Sequence, residues 1–198
     1  MIDLTFEIRA ATRDEMPHTV ACIVAAFITD PVARFALPSP HDYFRVMPEA
    51  TREFAGGSFE HGSAYVSPDF CGAALWLPPG VHPNGEALEA LFRDNLKPAH
   101  LDDMLGTFEQ MGESHPDEPH WYLPMIGVEP YAQNRGLGYA LMQHALARCD
   151  RDGMLAYLES SNPRNITLYE RHGFEVIGQI QVGAAPVVTP MLRHPRSR

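Results

Sequence analysis

Gln133, Gly136 and Gly138 follow an apolar run, "HWYLPMIGV", and open an amphipathic stretch that reads as a helix from about 136 to 150. A helix N-terminus offers backbone N–H groups with no internal acceptor, together with the positive end of the peptide dipoles. An anion held there must approach the main chain closely, and side chains beyond Cα obstruct that approach. In Gln133-Asn134-Arg135-Gly136-Leu137-Gly138-Tyr139-Ala140 the two glycines remove the obstruction and Arg135 adds a charge-assisted donor, so the segment fits a phosphate cradle. A glycine pair also suits ordinary loop geometry. A P-loop is excluded because no lysine follows the glycines. A dinucleotide fingerprint is excluded as well, because Leu141 occupies its third small position.

Further along, Asn165 and Tyr169 are four residues apart and share a helix face, although a tyrosine before "ERHGF" reads equally as a packed aromatic. His115 and His120 flank "PDEP", but no third ligand stands at a useful spacing, so no metal site is expected. Cys22, Cys71 and Cys149 are odd in number and far apart, which fits reduced thiols without zinc or disulfide roles.

Several elements must position these residues. "LTFEIRA" alternates Phe6, Ile8 and Ala10 against Thr5, Glu7 and Arg9, the pattern of a half-buried strand. Thr12 and Glu15 have capping-box spacing before a helix that carries Val20, Ile23, Val24 and Phe27. A second helix is expected over about 41 to 55, stopping at Gly56-Gly57. "GSAYVS" and "FCGAALWLP" predict a hairpin about a Ser-Pro-Asp turn, and amphipathic stretches follow over about 86 to 97 and 100 to 112. Strands are expected at "HWYLPMIGV", "MLAYLES", about 174 to 182 and about 187 to 192, with a short helix over about 163 to 171. Pro124 lacks a ladder donor, so the strand holding it cannot pair regularly throughout. These elements predict one domain of mixed α/β (α+β) class over residues 1–198.

The chain has 198 residues, 45% hydrophobic and 20% charged, enough apolar surface for a sizeable core. A formal charge of −10 argues against general affinity for nucleic acid or an anionic membrane. "MIDLTFEIRA" holds no long apolar run, which predicts a cytoplasmic protein rather than a secreted or membrane-spanning one. The sequence leaves the oligomeric state open, a homodimer included.

"IGVEPYAQNRGLGYALM" followed by "LAYLESSNPRNITLYERHGFEVIG" resembles the GNAT superfamily of acyl-CoA-dependent N-acetyltransferases, and the likeness runs through the order of the whole chain. "ATRDEMP", "DEPHWYLPMIGVEP" and "LESSNPRNITLYERHGF" resemble the puromycin N-acetyltransferase group more narrowly. The resemblance implies the GNAT fold: a central, mostly antiparallel mixed sheet with splayed strands and flanking helices. It implies acetyl-CoA as co-substrate, with no metal, and the primary amine of a small molecule as acceptor.

Residue by residue, the family's glycine turn matches Gln133, Gly136 and Gly138, and the amides from about Arg135 to Ala140, with Asn134 and Tyr139 in the same run, would hold the coenzyme's diphosphate. Ile126, Gly127 and Val128 match the splayed strand that pairs with pantetheine, and an N–H near Ile126 would steady the oxyanion. Asn165 matches a coenzyme contact. Tyr169 matches the tyrosine that protonates the departing thiolate, reasonable for a phenol of pKa about 10 and a thiol of about 8.5. Glu159, at a strand end expected near the acetyl group, is the first candidate for the base, with His120, Glu118 or water as alternatives. Trp121 and Tyr122 are the acceptor-site candidates, with Trp76 and Phe44 behind them. A non-catalytic acyl-CoA sensor and a protein or peptide N-acetyltransferase are the rival readings. "WLPPGVHPNG" departs from the puromycin enzyme, which leaves the acceptor open.

Overall fold

The structure, a computed structural model, describes residues 6–196. The chain opens with β1 (Arg9–Ala10), shorter than the alternation implied. Arg9 pairs with Val66, the last residue of its partner strand, and its side chain makes a two-pronged bond to Glu15 (2.6 and 2.8 Å). Glu15 also accepts from the Thr12 N–H at 2.9 Å, closing the expected capping box, so the chain turns at Thr12 instead of extending. Thr5 of the expected strand lies outside the described residues. A 3-10 turn then leads into α1 (Met16–Ala26).

The short helix α2 (Pro31–Ala36) is not among the expected elements, though Asp30-Pro31 is a helix-start signature. Asp30 Oδ1 accepts from Val32 and Ala33 N–H, both at 3.0 Å, and proline fills the first helical position. Next come α3 (Pro40–Ala55), α4 (Gly57–Glu60) and the hairpin of β2 (Ala64–Val66) and β3 (Gly72–Leu77). The paired helices are α5 (Gly85–Asn95) and α6 (Pro98–Glu113). Then follow β4 (His120–Val128), α7 (Leu137–Asp152), β5 (Leu155–Ser160), α8 (Ile166–Arg171), β6 (Glu175–Val176) and β7 (Thr189–Arg193). The expected strand over 174 to 182 survives only as β6 and a single bridge between Ile180 and Val188.

Seven strands form one sheet in the order β1-β2-β3-β4-β5-β7-β6, antiparallel except for the β4/β5 pair. That parallel pair runs in register from His120–Leu155 to Leu123–Leu158 and stops there. On the other edge of β4, Leu75 opposes Met125 and Leu77 opposes Tyr122, so Leu123 and Pro124 both face Trp76 in a bulge. The proline that cannot donate sits where the ladder breaks. Past it, β4 stays with β3 and leaves β5.

The bulge also flips the side-chain alternation. Trp121 and Leu123 pack with Leu141, Met142 and Ala145 of α7, while Tyr122 packs with Phe54 of α3. Beyond the bulge, Met125 joins the α1/α3 side. Gly127 faces α1, where a Cβ would lie 2.5 Å from Ala26 Cβ. Its glycine is therefore explained by helix–sheet approach.

The α5/α6 pair roofs the α3 side and is fastened by aromatic packing and by two bonds near the start of α6. Phe92 and Phe54 both stack on Phe108, with ring centroids 5.2 and 5.5 Å apart. Asp103 accepts from Ala184 N–H at 2.9 Å, and the His100 ring bonds the Phe35 carbonyl at 2.6 Å.

Gly127→Val is expected to destabilise the fold by about 1–3 kcal/mol through overpacking against Ala26, with the chain still folded; the urea midpoint measures it.

Candidate active site

The Gly136 end of α7 is built as the spacing requires. Asn134 has φ 61° and Gly136 φ 88°, a left-handed pair that reverses the chain into the helix. No side chain caps α7, and its first bond runs from Ala140 N–H to the Gly136 carbonyl at 3.0 Å. The N–H groups of Leu137, Gly138 and Tyr139 thus have no partner within the helix. A Cβ on Gly138 would meet only Leu168 and Val128 at 3.6 and 3.7 Å, ordinary contacts, so the protein's own packing does not demand glycine there. These donors and this open space fit the diphosphate of coenzyme A.

Gln133 sets the loop rather than facing outward: its Nε2 donates to the Val128 carbonyl at 3.0 Å. Arg135 likewise folds back, donating to the Tyr131 carbonyl at 3.1 Å and lying over the Tyr131 ring.

Where β4 leaves β5, a cavity of about 120 Å³ opens, lined among others by Ile126, Glu159, Asn165 and Tyr169. Tyr169 is 5% exposed, and its side chain stands edge-on to Phe174. Gly173, at φ 90°, ends α8 behind it in the expected left-handed conformation. Burial, with a smaller push from the Asp30 carboxylate, raises the Tyr169 phenol above its usual pKa, so the hydroxyl keeps its proton at any working pH.

Two lining residues were missed in the sequence, Asp30 and Ser161. The Ser161 hydroxyl donates to Asp30 Oδ2 at 2.6 Å, tying the start of α2 to the end of β5 across the cavity. Burial raises the Asp30 carboxyl, against the opposing effect of its hydrogen bonds. Their signal was the Asp-Pro helix start; nothing local reveals the tie itself.

A second cavity, about 1220 Å³, adjoins the first across Phe54, Leu88, Phe92, Phe108 and Met111, under the α5/α6 roof. Tyr122, His120 and Glu118 line it, together with His115, which the sequence had offered only as a rejected metal ligand. Glu159 lies just behind His115, Oε1 to Nε2 3.4 Å, with its side chain 1% exposed. The His115 ring stacks within 4.5 Å of Tyr157 and 4.6 Å of Tyr122. Burial and the nearby Glu159 carboxylate push both phenols up, so both remain neutral. Tyr157, two residues before Glu159, belongs to the site by simple strand alternation.

Trp121 does not belong to it, which corrects the expectation for that residue. Its indole N–H donates to Asp152 at 3.1 Å and Arg148 lies over its ring, so the side chain is fixed against α7, on the sheet face away from the larger cavity. The alternation set by β4 decides this: Tyr122 faces the cavity, and its neighbour must face away. Trp76 packs in the same α7-side core, and Phe44 is 53% exposed on α3. Cys22 and Cys149 are buried, and burial pushes both thiols up to about 12, which leaves them without nucleophilic character. Among the described residues no three His, Cys, Asp or Glu side chains group as a metal site, and no helix is long and apolar enough to cross a membrane.

The "Acetyltransferase (GNAT) family" model matches residues 99–174. An uncharacterized N-acetyltransferase of Schizosaccharomyces pombe is 26% identical over 174 residues, covering 78% of this chain and 68% of that protein. A solved structure described as histone acetyltransferase HPA2 and related acetyltransferase, from Corynebacterium glutamicum, superposes with TM-score 0.69 at 25% identity, over 98% of this chain and 99% of that one. The polyamine N-acetyltransferase of Drosophila melanogaster does so with TM-score 0.68 at 15% identity, over 96% and 99%. The chain has the mixed α/β GNAT fold, and its residues 99–174 are similar to the GNAT acetyltransferase family.

The two glycines of the turn are expected to differ in kind. Gly136→Ala places a Cβ at φ 88° and should cost about 1–2 kcal/mol of stability, whereas Gly138→Ala should leave the urea midpoint unchanged or raised.

Proposed function

We propose that this chain, built on the GNAT fold, is an acetyl-CoA-dependent N-acetyltransferase that modifies the primary amine of a small cationic molecule by direct attack in a ternary complex. The observation that carries the reading is the alignment of parts along one strand. The uncapped amides of α7 lie at one end of β4, the break from β5 in its middle, and a large cavity at its start.

Acetyl-CoA would supply the activated acyl thioester. The Leu137, Gly138 and Tyr139 amides would hold its diphosphate with the positive helix end behind them; the Ala140 N–H, expected among the donors, is already given to the Gly136 carbonyl. The β4 main chain from Ile126 to Val128, freed from β5, would take the pantetheine arm, and an N–H near Ile126 would stabilise the oxyanion. The Val128 carbonyl is already occupied by Gln133, so Gln133 acts on the coenzyme through the loop it holds. Asn165 lines the same opening and would contact the thiol end.

Tyr169 would donate its proton to the leaving sulfur. Its phenol is the weaker acid in water, but the same apolar surroundings that raise it also destabilise a thiolate, which narrows the gap. Glu159 would accept the proton of the amine. Holding both reactants in line would itself lower the barrier.

The acceptor side favours a cation. Glu89, Asp102, Glu109, Asp117 and Glu118 line the larger cavity, while its one arginine, Arg93, is bonded to Glu89 at 2.6 Å. Such a field concentrates amines. The α5/α6 pair covers one side of this half-open space, which supports a small acceptor in preference to a protein N-terminus or lysine. The structural neighbour described as a polyamine N-acetyltransferase puts polyamines in the test panel, and the motif likeness to the puromycin group adds aminonucleosides.

The test is thiol release from acetyl-CoA across an amine panel. Release that requires an amine supports the reading; tight coenzyme binding with no turnover by any amine would replace it with an acyl-CoA sensor. With an active amine in hand, Tyr169→Phe is expected to lower kcat about tenfold or more while the calorimetric affinity for acetyl-CoA stays near wild type; unchanged turnover removes the acid role.

A further inference from the structure

A thioester carbon is flat, and its three substituents are the sulfur, the oxygen and the alkyl part of the acyl group. In the reading above the sulfur lies toward Tyr169 and Asn165 and the oxygen toward the main chain at Ile126, and all three residues border the smaller cavity. The alkyl part must leave in the remaining direction. The walls left to receive it come largely from α2, α3 and α6, and every residue these helices present there is apolar, with Ala33, Ala36, Met47, Ala50 and Met104 among them.

The space exceeds what an acetyl group needs. A methyl or methylene is close in size to a water molecule, whose share of liquid volume is about 30 Å³. The cavity of about 120 Å³ therefore holds about four such groups, where acetyl supplies two carbons. Three alanines stand where larger side chains would have filled it. Met47, Met104 and Met125 are buried around it, and unbranched thioethers repack readily about guests of different length.

We propose that the acyl donor is a coenzyme A thioester of an unbranched aliphatic acid of about three to five carbons, with acetyl the smallest group the site accepts. The inference rests on the coenzyme slot of the reading above and changes only the group transferred. The balance of the transfer is that of acetyl. The nitrogen–carbon bond forms, the carbon–sulfur bond breaks with its electron pair on sulfur, and the sulfur gains one proton while the nitrogen loses one.

Two features narrow the choice of chain. Among the described residues lining the cavity none is lysine or arginine, whereas Asp30 and Glu159 both line it. A carboxylate at the far end of the chain would meet like charge and no partner, which excludes malonyl and succinyl groups. The acceptor does not compete for the room, because its larger cavity lies across Phe54, Leu88, Phe92 and Phe108, which line both spaces.

Calorimetric titration of the full chain with coenzyme A and its acetyl, propionyl, butyryl, hexanoyl and succinyl esters tests the proposal. Each methylene added to acetyl should tighten binding about fourfold up to butyryl. The gain should stop by hexanoyl-CoA, which outgrows the space, and succinyl-CoA should bind more weakly than butyryl-CoA. Ala50→Leu fills the cavity from α3 and should bring the butyryl-to-acetyl affinity ratio back toward one. Ala36→Val does the same from α2 should the first variant fail to fold, and the wild-type series stands without either. Coenzyme A bound, with butyryl-CoA no tighter than acetyl-CoA or succinyl-CoA tightest of all, overturns the chain pocket and leaves acetyl transfer in place. A ratio that both folded variants leave unchanged overturns this placement of the chain. No binding of coenzyme A or of any ester rejects the acetyl-transfer reading and this inference together.

Discussion

A strand that pairs on both edges needs every N–H in place, and β4 has a proline in its middle. At Pro124 one donor is missing, an extra residue is taken up opposite Trp76, and the strand bends away from β5 after Leu123. The consequences spread in both directions. Main-chain groups that would complete a ladder are left facing a gap, and the side-chain alternation reverses, so that Tyr122 looks into the large cavity while Gly127 meets Ala26 of α1. The gap has to be walled by other elements. The Ser161–Asp30 bond, joining the end of β5 to the start of α2, does this from residues 131 positions apart.

The gap also exposes the end of β5 unevenly. Glu159 as a residue is half-buried, yet its side chain is 1% exposed, so its main chain borders the opening while the carboxylate turns into an aromatic and imidazole shell. An ionised group in such a place must be paired or share a proton. His115 stands beside it because the segment after α6 folds down under the roof, and the roof is held by Phe92, Phe108 and the His100 and Asp103 bonds near the start of α6. The polar centre is therefore supported by the apolar insertion above it, and losing the packing of α6 would disturb both.

Much of the fold was legible because it is written in local patterns. The Thr12–Glu15 box, the Ser-Pro-Asp hairpin and the amphipathic pair at 85 to 113 each depend on neighbours a few residues apart. Pro124 was informative for the same reason: a missing donor is a property of the residue itself. The reading failed where a distant partner decides the outcome. Alternation over Phe6 to Ala10 predicts a longer strand, but its partner strand ends at Val66, opposite Arg9, so nothing pairs with the residues before it. Trp121 and Tyr122 look equally suited to a pocket in sequence, and only the sheet's orientation against α7 separates them. His115 was weighed solely as a metal ligand, because its nearness to Glu159 arises from two elements that are forty-four positions apart in the chain. Asp30 lay in a stretch whose Asp-Pro signal was overlooked.

The α7 turn and the acid-lined cavity stand at opposite ends of β4, whose nine residues span about 26 Å when extended. Two molecules approaching from those ends would not obstruct each other's doorway. Neither has to arrive first on steric grounds, and neither product has to wait for the other to depart. If the coenzyme and the acceptor bind as proposed, the architecture would impose no compulsory sequence of arrivals, and any ordering in the kinetics would have to come from a change in shape on loading.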